Sequence, residues 1–121
     1  MLKILIVDDE QAICEEFRDL LHDEGHEVDI ATRGREAIQK AQENQYDLVF
    51  LDVLMPQMEG RETFEEIKKV SRVPVAIMSG YIPPQRENQI LSIGAIACFK
   101  KPLDLQQVRN LIARISAQKI N

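Results

Sequence analysis

Five short apolar stretches recur along the chain, at residues 2–7, 28–31, 48–51, 75–78 and 96–99, each bounded by polar positions. Short runs of apolar and β-branched residues of this kind predict strands buried on both faces. Between them the apolar spacing changes. Residues 11–23 carry Ile13, Phe17, Leu20 and Leu21 at i, i+4, i+7 and i+8. Residues 34–43 carry Ala37, Ile38 and Ala41, residues 59–69 carry Thr63, Phe64 and Ile67, and residues 104–118 carry Val108, Leu111, Ile112 and Ile115. These stripes predict four amphipathic helices. The pattern over 84–92 is weaker, with Ile90 and Leu91 behind Pro83 and Pro84. Proline is tolerated in a first helical turn, so a short helix is expected there as well.

Strand and helix alternating five times places the chain in the α/β class, with a parallel sheet between helices. Right-handed crossovers then give a doubly wound, three-layer sandwich. Ligands of such folds bind outside the carboxyl ends of the strands. The loops to inspect therefore follow Val7, Leu51, Met78 and Phe99.

Composition narrows the function class. The 121 residues make one domain, expected to span 1–121. A formal net charge of −5 argues against a free-standing nucleic-acid binder, which usually carries a basic stripe. Lys100, Lys101, Arg109, Arg114 and Lys119 stand against the single acid Asp104 near the end of the chain, and read as a solvated basic face. Cys14 and Cys98 make no disulfide framework and have no metal-ligand spacing, so both are expected to behave as small buried hydrophobes. No apolar run is long enough to span a membrane, and Asp8, Asp9 and Glu10 interrupt what would be a signal peptide. A reducing, cytoplasmic setting is the expectation.

The polar residues at the predicted strand ends change the picture most. The first strand runs into Asp8, Asp9 and Glu10, the third into Asp52, the fourth into Ser79 and Gly80, and the fifth into Lys100, Lys101 and Pro102. Each has a structural explanation by itself: Asp9 as a helix cap, Ser79 as a turn residue, Lys101 as a solvated cation. Their coincidence at one sheet edge is harder to explain by structure alone. Clustered carboxylates repel unless a cation neutralises them. Magnesium is held by one or two carboxylates plus phosphate oxygens. An aspartate can attack phosphorus, and a lysine can act as a point charge on the phosphoryl oxygens. The residues read as magnesium-assisted phosphoryl transfer onto an aspartate.

In this order and at these positions, the motifs resemble the receiver domain of the response-regulator family of two-component signalling, over essentially the whole chain. The acidic pair is Asp8 and Asp9. The phosphoacceptor segment Asp-x-x-Met-Pro-x-x-x-Gly is met by Asp52, Met55, Pro56 and Gly60. The hydroxyl and small residue are Ser79 and Gly80, and the Lys-Pro pair is Lys101 and Pro102. The resemblance implies a flavodoxin-like (βα)5 sandwich with strand order 2-1-3-4-5. It implies that Asp52 accepts a phosphoryl group from the phospho-histidine of a histidine kinase or histidine phosphotransfer protein. Asp8, Asp9, Asp52 and the backbone carbonyl of Leu54 would then hold Mg2+, with Mn2+ as a substitute. Lys101 and Ser79 would contact the phosphoryl group, and Gly80 would leave it room. A cis bond is expected between Lys101 and Pro102. The resemblance implies a signalling phosphoacceptor that acts only on its own phosphorylation, rather than an enzyme with turnover.

The family's kinase-facing surface suggests Gln11, Glu15, Arg18, Pro102 and Leu103 here, and its output surface suggests Glu87, Gln107 and Arg109. No membrane contact and no direct nucleic-acid contact are expected. Two organisations fit: a single-domain regulator, or a receiver excised from a multidomain transcriptional regulator or hybrid kinase. A magnesium-dependent phosphohydrolase is disfavoured, because Asp8 and Asp9 are adjacent and no cap-sized insertion is present. A pure interaction module is disfavoured by the intact Asp8, Asp9, Asp52, Ser79 and Lys101 set.

The chain departs from the family pattern at Cys98, where the usual switch aromatic is missing. Phe99 is adjacent but faces the other side of a strand. The conformational change is therefore expected to rely on Ser79 and the loop 80–84. Leu54 and Tyr81 occupy the two variable positions flanking the site, and both should shield an acyl phosphate from water. Slow self-dephosphorylation is expected, and Leu54→Asn should shorten the lifetime of the phosphorylated protein in a phosphate-release assay; an unchanged lifetime would count against shielding.

Overall fold

The computed structural model describes residues 1–53, 60–80 and 82–120. Its elements alternate: β1 (Lys3–Val7), α1 (Gln11–Asp23), β2 (Glu27–Ala31), α2 (Gly34–Glu43), β3 (Leu48–Asp52), α3 (Gly60–Val70), β4 (Val75–Ser79), α4 (Pro84–Ser92), β5 (Ala97–Lys100) and α5 (Leu105–Ile120). The five strands form one parallel sheet in the order β2-β1-β3-β4-β5, as the family resemblance implies.

Period-two alternation divides the apolar residues between two cores. Ile4 and Ile6 of β1, Leu48 and Phe50 of β3, Ala76 and Met78 of β4 and Phe99 of β5 meet α1 and α5 on one face. Leu5, Val7, Val49, Leu51, Val75 and Ile77 meet α2 and α3 on the other, with Ile90 of α4 packed at the margin. Every residue of β3 and β4 is buried, which is why these segments read as unbroken apolar runs.

Helix positions follow the predicted stripes with one shift. The fully buried line of α1 is Cys14, Phe17 and Leu21, while Ile13 and Leu20 flank it half-buried. Cys14 thus holds a core position, as expected of a small buried hydrophobe. α4 forms behind Pro83 and Pro84 as expected, and none of its side chains is fully buried. β3, β4 and β5 also run one residue further than the apolar pattern, so Asp52, Ser79 and Lys100 belong to the ladder itself.

Of the basic residues near the chain end, Lys100, Arg109, Arg114 and Lys119 are exposed, as expected, and two of them make surface ion pairs. Arg109 of α5 makes a two-pronged contact with Glu24 just beyond α1, with Nη2 at 3.0 Å. Lys119 reaches Asp47 at 3.0 Å. Asp47 also takes the Lys3 N–H at 2.8 Å, so it acts as a turn residue at the edge opposite the strand ends.

Chain entry into β1 rests on a histidine. The Leu2 N–H donates to Nδ1 of His26 at 3.1 Å, which requires a neutral imidazole. Burial and the nearby N-terminal ammonium pull the His26 pKa below its ordinary value of 6.5, against an opposing pull from Glu24. A depressed pKa means that the folded state favours the neutral ring. Its contribution is complete above pH 6.5 and is lost as pH falls below that value. His26→Gln, which retains an acceptor, should flatten the acid limb of a plot of stability against pH by about 1 kcal/mol, as read by urea unfolding at pH 7.5 and pH 5.

Candidate functional site

Strand parity brings the chemistry together. Asp8 follows Ile6 on β1, Asp52 follows Phe50 on β3, and Lys101 follows Phe99 on β5; the three inherit the face that packs under α1 and α5. Val7 pairs with Leu51, so the two aspartates leave the sheet at the same height. Asp8 and Asp52 are both buried, at 0% and 5% exposure. Two carboxylates this deep need a counter-charge, and Lys101 supplies it. Its ammonium contacts Oδ2 of Asp8 and lies 2.9 Å from Oδ2 of Asp52. Burial alone would lower the lysine pKa, but the hydrogen bonds and charges of the two aspartates outweigh it and hold the ammonium above its ordinary value.

Lys101 is held in turn by the sheet. Ser79 pairs with Lys100, and the Lys101 N–H donates to the Ser79 carbonyl at 2.8 Å. The bond between Lys101 and Pro102 is cis, as expected. Lys100 points to the opposite side and is exposed, as a period of two requires. Ser79 is fully buried on β4, one strand from Asp52. A Cβ added at Gly80 would meet nothing within 4 Å, so space is open beside the strand end.

The turn between β1 and α1 gathers the acids. Carboxylate oxygens of Asp8, Asp9 and Glu10 lie within 4.8 Å of one another. Asp9 and Glu10 are exposed, while Asp8 is not. Glu10 is the N-cap residue of α1 but makes no side-chain capping bond, so its carboxylate is not spent on the helix. The donors are all hard oxygen, the set that suits a hard divalent cation. Sequence reasoning placed Glu10 in the acidic cluster without naming it among the ligands, and the structure puts its carboxylate beside those of Asp8 and Asp9. The Leu54 carbonyl, Met55, Pro56 and Tyr81 lie outside the described residues.

Two residues beside the site had no role in the sequence reading. Cys14 is buried beneath the turn, and its thiol donates to the Asp8 carbonyl at 3.3 Å. Burial, reinforced by the Asp8 charge, pushes this thiol up to about 12. Gly60, recognised only as a motif position, has a steric reason to be glycine: an ideal Cβ there would stand 2.0 Å from the Val53 Cα. Its N–H donates to the Val53 carbonyl at 3.2 Å, closing the loop that leaves Asp52.

On β5, Phe99 packs into the core against Phe50, with ring centroids 6.3 Å apart. Cys98 instead lines a cleft of about 310 Å³ with Ile82, Glu87, Lys100 and Gln107. Phe99 therefore does not substitute at the missing aromatic position. Of the suggested surface residues, Gln11, Glu15 and Pro102 are exposed and Glu87 and Gln107 border this cleft. Leu103 is half-buried against the core, and Arg109 is exposed but paired with Glu24.

Comparison with known proteins agrees with this arrangement. The family pattern described as "Response regulator receiver domain" matches residues 4–113. The chain is 44% identical over 117 residues to the transcriptional regulatory protein CpxR homolog of Haemophilus influenzae, covering 97% of this chain and 50% of that protein. It is 35% identical to the regulatory protein VanRB of Enterococcus faecalis, covering 54% of it. The chain thus spans about half the length of these relatives. Among solved structures, a two-component response regulator from Clostridium difficile superposes with a TM-score of 0.92 at 27% identity, covering both chains fully. A CheY-like receiver domain protein from Methanospirillum hungatei gives 0.86 at 30%, covering 97% of this chain and 95% of that one.

Gly60→Ala should cost about 2–3 kcal/mol in chemical denaturation, because the Val53 backbone cannot yield as a flexible side chain would. A loss below 0.5 kcal/mol, the usual range for a surface change, would show that the turn adjusts freely.

Proposed function

The chain belongs to the response-regulator receiver domain family of two-component signalling, and on that footing we propose that it is a phosphoacceptor switch charged at Asp52. The donor is a phospho-histidine on a histidine kinase or histidine phosphotransfer protein. The observation that carries this reading is the Lys101 bridge between Asp8 and Asp52, which sets a nucleophile, a counter-charge and an acidic cluster at one sheet edge.

An oxygen of the Asp52 carboxylate attacks phosphorus, the phosphorus–nitrogen bond of the donor breaks, and its electron pair returns to the imidazole. The product is an acyl phosphate on Asp52. Lys101, already beside Asp52, turns its ammonium to the new phosphoryl oxygens. The Ser79 hydroxyl donates to another of them, and the open space at Gly80 admits the group. Asp8 and Asp9, with Asp52, would hold Mg2+ or Mn2+, and Glu10 stands close enough to join them. Such a cation, when bound, supplies charge neutralisation for the phosphoryl oxygens. The domain then acts on its own phosphorylation only.

A second reading concerns what the switch controls. The Haemophilus influenzae relative is named a transcriptional regulatory protein and the Enterococcus faecalis one a regulatory protein, and both are about twice as long as the matched region. This favours a receiver that belongs to a regulator of that kind, with output through a partner segment or protein rather than through nucleic-acid contact by this acidic domain. Among the described residues no helix is long and apolar enough to cross a membrane, and Cys14 and Cys98 are both free thiols. Both facts support a cytoplasmic site of action.

Incubation with acetyl phosphate and Mg2+ should add one phosphoryl group by intact-mass measurement. The adduct should be absent with a chelator and in Asp52→Asn. No adduct on the wild-type protein, or an adduct that survives Asp52→Asn, would overturn the assignment.

A further inference from the structure

The turn that gathers the acids is held by the end of the β1–β2 ladder, by the first bond of α1, and between them by the Asp8 side chain and the Cys14 thiol. The Asp8 N–H donates to the Ala31 carbonyl at 3.1 Å. Its Oδ1 accepts the Glu10 N–H at 3.0 Å, and its Oδ2 holds Lys101. The Asp8 carbonyl accepts the Cys14 thiol at 3.3 Å, and the Cys14 N–H donates to the Glu10 carbonyl at 3.1 Å. One fully buried residue therefore grips both ends of the turn. The Asp8 carbonyl belongs to the peptide plane that joins Asp8 to Asp9. Rotation of that plane would swing the Asp9 carboxylate relative to the buried Asp8.

We propose that Cys14 is a positioning residue for the acidic cluster, its thiol setting the peptide plane between Asp8 and Asp9 and so the convergence of the Asp8, Asp9 and Glu10 carboxylates. The proposal rests on the reading that this cluster holds a divalent cation. A filler role for Cys14 predicts sensitivity to volume alone. A positioning role predicts sensitivity to the donor.

Three variants separate these. Cys14→Ser keeps a donor, Cys14→Ala loses donor and volume, and Cys14→Val loses the donor while keeping an apolar side chain. Mn2+ titration measures cation affinity. The three-bond amide–Hα coupling of Asp9, measured by NMR without cation, reports its φ and hence the set of the peptide plane. The Ala and Val variants should bind Mn2+ about 3- to 10-fold more weakly, the range of one lost hydrogen bond, and should change the Asp9 coupling. The Ser variant should stay near wild type in both. An unchanged coupling in Ala and Val, or a Ser variant as impaired as Ala, would overturn the proposal. A wild-type protein that binds no Mn2+ would defeat the cation reading instead, and the cation-free coupling then decides the role of Cys14. Thermal melts accompany each variant, and a variant that fails to fold leaves the other donor-free one to decide.

Discussion

Two buried carboxylates on neighbouring strands are the constraint around which this domain is organised. Asp8 and Asp52 sit at the ends of β1 and β3, and the strand pairing holds them together whether or not they repel. Removing one partner from a buried ion pair leaves an uncompensated charge, at a cost of about 3–5 kcal/mol. Lys101 must therefore arrive where it does, and β5 must end where it does. The Ser79 carbonyl that anchors the Lys101 backbone is part of the same requirement. The sandwich around these residues reads as the frame that keeps one ammonium between two carboxylates.

That frame is uneven. β1, β3 and β4 are packed on both faces, but β5 is an edge strand and α4 contributes no fully buried side chain. The site's cation thus hangs from the less buried side of the sheet. Cys98 deepens the asymmetry: a small side chain faces the cleft beside α4, while the larger Phe99 is sealed inside. By contrast, the α1 and α5 side is tied by core packing and by the Glu24 and Arg109 pair. Among the described helices, α4 is the one without a fully buried side chain.

The alternation of strand and helix was legible because both core faces demand apolar residues at regular spacings, and Phe50, Ile67 and Ile112 sit where those spacings put them. The main site residues were legible because polar groups at the ends of buried strands have few structural uses. Other features were hidden for physical reasons. Cys14 reads as a small hydrophobe, and nothing local reveals that its thiol faces the Asp8 carbonyl across a turn. The ion pairs of Arg109 and Lys119 were hidden because their partners, Glu24 and Asp47, are distant in sequence. The need for glycine at position 60 depends on a backbone contact with Val53 that no periodicity encodes.

The bridge also has a history along the chain. Asp8 and Lys101 are 93 positions apart, and Asp52 and Lys101 are 49 apart. On a ribosome adding about 5–20 residues each second, Asp8 emerges some 5–20 seconds before its counter-ion. From the synthesis of Asp52 to that of Lys101, 49 positions later, the chain holds both acids without the lysine, so β5 delivers an electrostatic latch as well as an edge. A growing polypeptide of this sequence can complete that charge balance only once its fifth strand has been made, because the lysine is the last of the three residues in the chain.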